Sequence, residues 1–263
     1  MKGTILTMGL LCLIACGPNG NQHKIVIRKD KDGHILSETH VAFDSVRDGV
    51  EKKFNKNGTI KSEIEYSNGV RHGWDKRYDG QGKISSQGQF ENGLENGVRY
   101  EYYDNGNLQS EGFWLNGKAF GNTIFYYRNG KPRLFNCYDF DEHNRYLIKY
   151  DTNGSIKIED GDVLGQILIN GREERETIQK SLIAIGSVAT PPRRTVKVYV
   201  REFGSKTLTS LPIQHNQINY THTFSTVGNI RLTFIAEMFE ASGQLMKKDS
   251  IVKDLIVEDN IHR

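Results

Sequence analysis

Apolar and polar residues alternate with a period of two along most of this chain, and Asn-Gly and Asp-Gly pairs interrupt the alternation. Val98, Tyr100 and Tyr102 alternate with polar neighbours, Asp104-Asn105-Gly106 breaks the run, and Leu108, Ser110, Gly112 and Trp114 take it up again. Alternation on both sides of an Asn-Gly predicts a β-hairpin. The hairpin recurs: Gly58, Gly82, Gly106, Gly130 and Gly154 are each 24 residues apart. Phe54, Tyr78, Tyr102, Tyr126 and Tyr150 form an aromatic column at the same step, and Tyr66, Phe90, Trp114 and Tyr138 form a second. Ile60, Ile84, Leu108 and Ile156 form an aliphatic column, broken by Pro132. A lone hairpin is marginal in water, so the repeats must stack, and the columns are expected to share one buried face. Asp32-Gly33-His34-Ile35, with Val41 and Phe43, fits a degenerate first unit. The array therefore runs over 24–165, with an irregular end near 139–146, where Asp141 and Arg145 replace two glycines.

Residues between the columns should form the opposite face. Early in the array these are polar: Lys53, Lys61, Glu63 and Glu65, then Arg77, Lys83, Gln87 and Gln89. Later they become Tyr103, Phe113, Phe125, Tyr127, Phe135 and Cys137. Such an apolar cluster is rarely left bare on a soluble monomer. It is therefore expected either to be covered by the C-terminal part of the chain or to bind a partner protein, glycan or peptide, with Tyr103, Phe113, Phe125, Tyr127 and Phe135 as the candidate patch.

Beyond about residue 166 the period vanishes. Strand-like runs follow at 166–170, 180–187, 196–203, 218–224, 230–239 and 251–257, and Glu240-Ala241-Ser242-Gly243 joins the last two. Short strands without amphipathic helices predict a β-sandwich over 166–263. At the level of pattern alone this resembles the immunoglobulin-like modules of bacterial surface proteins. Residues 173–179 read as a short helix or an edge strand. The fold class is thus all-β, an elongated antiparallel sheet of stacked hairpins followed by a sandwich.

The first fifteen residues differ from the rest. Lys2 precedes an uncharged apolar run from Ile5 to Ala15, too short to span a bilayer and matched to the core of a secretory signal. The run ends in Leu13-Ile14-Ala15-Cys16, which resembles the lipobox of bacterial lipoproteins. The resemblance implies a signal peptide over 1–15, lipid attachment at Cys16 and a polar tether over 16–23. Gly17, rather than an Asp, favours the outer membrane over the inner within the cell envelope.

Composition narrows the chemistry. The 263 residues suffice for two domains. A hydrophobic share of 37% and a charged share of 25% suit a soluble body. Net charge is +3, with Lys and Arg interspersed among acids, so no nucleic-acid partner is expected. Cys12 leaves with the signal and Cys16 takes lipid, so Cys137 is a lone, structural thiol. No His, Cys or carboxylate spacing suits a metal. Asp30-Lys31-Asp32-Gly33 starts like a calcium loop, but Val41 stands where the bidentate Glu is needed, so a turn role explains it better. No nucleophile motif or phosphate loop occurs, and no catalytic residue or cofactor is assigned.

Residues 66–74, 90–98 and 114–122 share an aromatic, a Gly three on and a second Gly four later. They resemble the MORN repeat, in the bacterial variant associated with antitoxin-like proteins. That resemblance covers about half the chain and implies stacked hairpins used for protein or lipid contact rather than catalysis. The leading expectation is a membrane-anchored, non-catalytic scaffold that binds protein or glycan through its repeat surface. The alternatives are an inhibitor of an envelope toxin and a glycan-directed enzyme.

Overall fold

The computed structural model describes residues 11–16, 22–42, 45–170, 177–179, 181–225 and 227–258. Residues 1–10 of the expected signal, 17–21 of the tether, Phe43 of the degenerate unit and 173–176 lie outside the described residues. Among the described residues all regular structure is strand. The chain divides into two compact units, Met1–Gly117 with Arg128–Gly130, and Lys118–Tyr127 with Lys131–Arg263.

The first unit is a meander. Its strands are β1 (Leu11–Cys16), β2 (Gln22–Lys29), β3 (Ile35–Val41), β4 (Arg47–Phe54), β5 (Ile60–Ser67), β6 (Val70–Tyr78), β7 (Ile84–Glu91), β8 (Leu94–Tyr102) and β9 (Leu108–Leu115). Each pairs antiparallel with the next.

Two kinds of turn join them. Within a hairpin such as β8–β9, Gly106 N–H donates to Tyr103 O and Tyr103 N–H to Asn107 O, and only the glycine of Asn105-Gly106 has positive φ. This is a type I turn closed by a glycine bulge. Between hairpins, both residues of Asn68-Gly69, Asn92-Gly93 and Asn116-Gly117 have positive φ, as a tight two-residue turn requires. Those connections also tie neighbouring repeats: the N–H groups of Gly69, Gly93 and Gly117 reach the carbonyls of Arg47, Arg71 and Glu95 at 2.7, 2.9 and 2.7 Å.

The bulges overturn one sequence expectation. The register shifts at Lys53/Phe54, Arg77/Tyr78 and Glu101/Tyr102, and one extra residue in a strand reverses which face its side chains take. The two aromatic columns therefore stand on opposite faces. Tyr78 and Tyr102 reach Glu63 and Gln87 on one face. Tyr66, Phe90 and Trp114 stand on the other, in the rows of Gly49, Gly73 and Gly97.

The second unit begins with another meander, β10 (Lys118–Tyr126), β11 (Pro132–Tyr138), β12 (Asn144–Tyr150) and β13 (Ile156–Gly161). The strands that follow are β14 (Leu164–Ile169), β15 (Thr177–Gln179), β16 (Ser181–Val188), β17 (Thr195–Glu202), β18 (Thr209–Leu211), β19 (Ile213–Gln214), β20 (Gln217–Thr223), β21 (Gly228–Phe239) and β22 (Leu245–Glu258). They form two sheets, ordered β14-β16-β20-β19 and β15-β22-β21-β17-β18. The six strands expected from alternation are present, and residues 177–179 are an edge strand parallel to β22.

Alternate residues of both sheets point inward. Ile167, Ile169, Leu182, Ala184 and Ile218 meet Val198, Val200, Phe234, Ala236 and Leu255 in one core. Each large aliphatic or aromatic side chain so buried contributes about 1.5–3 kcal/mol. Phe135, Cys137, Tyr146 and Ile148 of β11 and β12 belong to the same core. Asn122 of β10 also reaches the sandwich loops, donating from Nδ2 to Asn216 Oδ1 at 2.7 Å and to Thr190 O at 3.1 Å.

Candidate functional site

The aromatic residues singled out from the sequence do not form one surface. Phe135 has no exposed surface, and Cys137 beside it is buried too. Burial pushes the Cys137 thiol up to about 12, helped by the charge of Asp139, so it stays protonated and unreactive. Phe125 is paired with Leu134 whereas Phe135 is paired with Ile124, so the two phenyl rings stand on opposite faces of β10–β11. Tyr127 donates its hydroxyl to Tyr150 O at 2.8 Å. In the first unit, Phe113 lies opposite Val98, and the Tyr103 ring sits under the guanidinium of Arg128 at 4.9 Å. Phe135 is thus core, not a binding residue, because its strand packs into the sandwich. Cys16 ends β1, opposite Gln22.

The face carrying Tyr66, Phe90 and Trp114 is more informative. Its central rows are polar, and several members are buried: Glu51, Ser62, Asp75 and Ser110. Buried charges persist only when paired and hydrogen-bonded, and here they are. Arg77 makes a two-pronged contact with Asp75, Nε to Oδ1 at 2.7 Å and Nη2 to Oδ2 at 3.0 Å. That carboxylate holds the Arg77 guanidinium above its ordinary pKa. Arg71 Nη1 approaches Asp75 Oδ2 at 3.4 Å. One repeat earlier Arg47 and Lys53 flank Glu51 at 3.8 and 3.5 Å. One repeat later the signs invert, and Arg99 lies between Glu95 and Glu101 at 2.7 and 3.0 Å.

Each repeat also sets an arginine over a ring. Arg47 lies 4.4 Å from the Tyr66 centroid, Arg71 lies 5.3 Å from Phe90 and Arg99 lies 5.8 Å from Trp114, within the range of cation–π attraction. Gly88 leaves the floor bare, because a Cβ there would come within 3.0 Å of Glu95 Oε1. The result is a cleft of about 290 Å³, walled by Arg71, Asp75, Arg77, Phe90, Glu95 and Arg99. It offers forked donors, carboxylate acceptors and ring faces on a rigid sheet. Sequence reasoning passed over these residues, although the charged columns 47/71/95 and 51/75/99 keep the same step as the aromatic ones.

Comparison with known families matches the MORN repeat variant at residues 47–68 and 95–116. The matches coincide with the hairpins β4–β5 and β8–β9, and β6–β7 between them has the same pairing and the same arginine–ring contact. These are MORN-like repeats. No curated protein matches the chain. Within the MORN-like frame the second glycine of the motif has a physical reason. At Gly73 and Gly97 an added Cβ would fall 2.0 and 2.2 Å from the side-chain oxygens of Glu65 and Gln89. Those oxygens accept the next backbone N–H, of Trp74 and Val98, at 3.0 Å each. The glycine makes room for a side chain that satisfies an N–H next to a break in strand pairing.

The Asp30 turn also resolves. Ligand atoms of Asp30, Asp32 and His34 lie within 4.8 Å of one another. Asp30 Oδ1, however, already accepts the N–H groups of Asp32 and His34 at 2.9 Å each. Asp79, Asp139 and Asp151 make the same pair of bonds. This is turn chemistry repeated along the array.

Proposed function

We propose that this protein is a lipid-anchored envelope protein that acts as a non-catalytic scaffold, binding a protein or glycan partner along the arginine–ring face of its MORN-like repeats. The observation that carries the reading is an arginine over a ring in three successive repeats, Arg47–Tyr66 and Arg71–Phe90 from one seat and Arg99–Trp114 from the neighbouring one, beside paired carboxylates. Arginines and aromatic rings are the residues that dominate binding energy at interfaces, and here the sheet holds them in fixed order. Leu13-Ile14-Ala15-Cys16 supports anchorage through Cys16, and Gly17 favours the outer membrane over the inner. The strand order of the sandwich supports an immunoglobulin-like reading of the second domain: an early short strand, β15, runs parallel to the last, β22, at the edge of one sheet.

Membrane fractionation and cross-linking test this together. A Cys16→Ser chain should leave the membrane fraction. Arg71→Ala with Trp114→Ala should remove the envelope partner cross-linked by the native chain, without lowering the melting temperature by more than a few degrees. A partner sensitive to protease is a protein, and one sensitive to periodate is a glycan. Partner capture unchanged by the double substitution would remove the repeat face from the proposal.

A further inference from the structure

A second cavity lies wholly within the second unit, and its chemistry differs from that of the arginine–ring face. It measures about 290 Å³ and is lined by Lys131, Pro132, Tyr150, Pro192, Arg193 and Arg194, with the Asn153-Gly154 turn and Ile156 completing it. Three cations line it and no carboxylate does.

Two observations set this apart from an ordinary basic patch. Arg194 has a side chain only 9% exposed. Its Nη1 is buried and has no hydrogen-bond partner, and its Nη2 reaches Glu159 Oε2 at a long 3.4 Å. The other oxygen of Glu159 is already taken by the Tyr146 hydroxyl. A buried guanidinium so weakly compensated is unusual, since such groups are ordinarily paired and bonded.

The second observation is backbone strain. Pro191–Arg194 form a tight turn, with Arg194 N–H donating to Pro191 O at 3.2 Å and Arg193 at φ +62°. Pro followed by a residue of positive φ is a type II turn, whose third position belongs to glycine or asparagine. An arginine held there sets two consecutive guanidiniums at one cavity, and strain of this kind collects at ligand sites. Lys131 is steered as well, its Nζ donating to Asn153 O at 3.1 Å. The cations act on their surroundings: burial raises the Tyr150 phenol, while Arg194 and Arg193 pull it back.

We infer that this cavity binds an oxyanion, a carboxylate or a phosphate monoester, carried on a small apolar body. The oxyanion meets the Lys131 ammonium and the planar, forked donors of Arg193 and Arg194. The body rests against Pro132, Tyr150 and Pro192. The volume sits at the low end for small-molecule sites, which limits the body to a single ring or a short chain.

Calorimetric titration of the full chain at low salt tests the inference, with benzoate and phenyl phosphate as probes and benzyl alcohol as the uncharged control. Saturable binding of either anion, without binding of the alcohol, is the expected result. The tighter of the two identifies the source as carboxylate or phosphate. Arg193→Gly should weaken the preferred anion about tenfold while leaving the melting temperature unchanged or raising it, because glycine takes the turn without strain. Lys131→Gln should weaken binding in the same direction. The inference is overturned if neither anion saturates, if benzyl alcohol binds as well as benzoate, or if Arg193→Gly binds like the native chain.

Discussion

Arg99 donates Nη1 to Glu95 Oε1 at 2.7 Å, with the cation four residues after the anion, whereas Arg71 precedes Asp75 and Arg47 precedes Glu51. The third member of each cluster follows suit: Lys53 and Arg77 in the first two, Glu101 in the third. Two repeats carry cation–anion–cation and the next carries anion–cation–anion. What the stack preserves is alternation of charge within each repeat, not the sign at a given seat.

Breaking the alternation should therefore cost more than inverting it. Arg99→Glu sets three carboxylates together on a half-buried face and is expected to lose about 2 kcal/mol of stability, since removing one partner strands the others. Adding Glu95→Arg and Glu101→Lys restores the pattern of the first repeat and should recover most of that loss. Urea unfolding of the single and triple variants measures both. A triple variant no more stable than the single one would show that the signs are fixed by something other than their neighbours.

The Tyr78–Glu63 contact predicts a pH signature. Tyr78 donates its hydroxyl to Glu63 Oε2 at 2.7 Å. That bond, helped by Lys52, holds the Glu63 carboxyl below its ordinary value, while burial and the same carboxylate push the Tyr78 phenol up to about 12. The two ends have opposite signs. Because Glu63 is depressed in the folded state, its contribution is present above its ordinary pKa of 4.5 and fades as pH falls through the lower folded value. Because Tyr78 is raised, its contribution is complete below 10 and fades as pH rises through about 12. A difference absorbance titration of the native chain against Tyr78→Phe should place this tyrosine near 12, and Glu63→Gln should bring the midpoint down. An unshifted midpoint in Glu63→Gln would mean that the contact does not persist in solution.

These relationships bear on what could be read from the sequence. The 24-residue step carried the hairpins and their order, because glycine turns and aromatic rings have few substitutes at those seats. Six of the sandwich strands followed from alternation. The facing of the columns did not follow. Counting every second residue through Tyr102 and back from Leu108 puts both on one side, but the bulge at Glu101/Tyr102 reverses the parity. A bulge adds no residue type that marks it beyond the glycine already expected in the turn. The arginine–carboxylate clusters were hidden for a related reason: their signs invert between repeats, so no single residue type fills the column. The Arg193–Arg194 site was illegible because its cations come from a hairpin turn and a sandwich loop far apart in sequence.

Two phenylalanines from the expected aromatic patch should now behave differently. Phe135 is fully enclosed, with Tyr146 edge-on at 6.2 Å, and Phe135→Ala is expected to cost about 3–5 kcal/mol. Phe113 is only half-buried, and Phe113→Ala should cost about 1 kcal/mol, its smaller share of buried area. Chemical denaturation with circular dichroism separates them. Alkylation of native protein followed by peptide mass spectrometry should leave Cys137 unmodified, and Phe135→Ala should expose it. Equal costs for the two phenylalanines would contradict the placement of Phe135 in the core.

Glycines that look equivalent in the repeat should also part ways. Gly106 has φ +83° and open space where a Cβ would sit, whereas Gly97 has φ +125° and Gln89 Oε1 only 2.2 Å from that position. Gly106→Ala pays backbone strain alone, about 1 kcal/mol. Gly97→Ala pays the strain and also displaces the Gln89 amide from the Val98 N–H it accepts at 3.0 Å, leaving a donor unsatisfied beside the break in pairing. That adds about 1–3 kcal/mol. Gln89→Ala, which removes the bond but keeps the glycine, should fall between the two, and Gly97→Ala in the Gln89→Ala background should cost less than in the native chain, because the obstructing side chain is gone. Additive costs in this cycle would mean that Gly97 is required for its dihedral angle alone and that the Gln89 contact has no part in the choice of glycine.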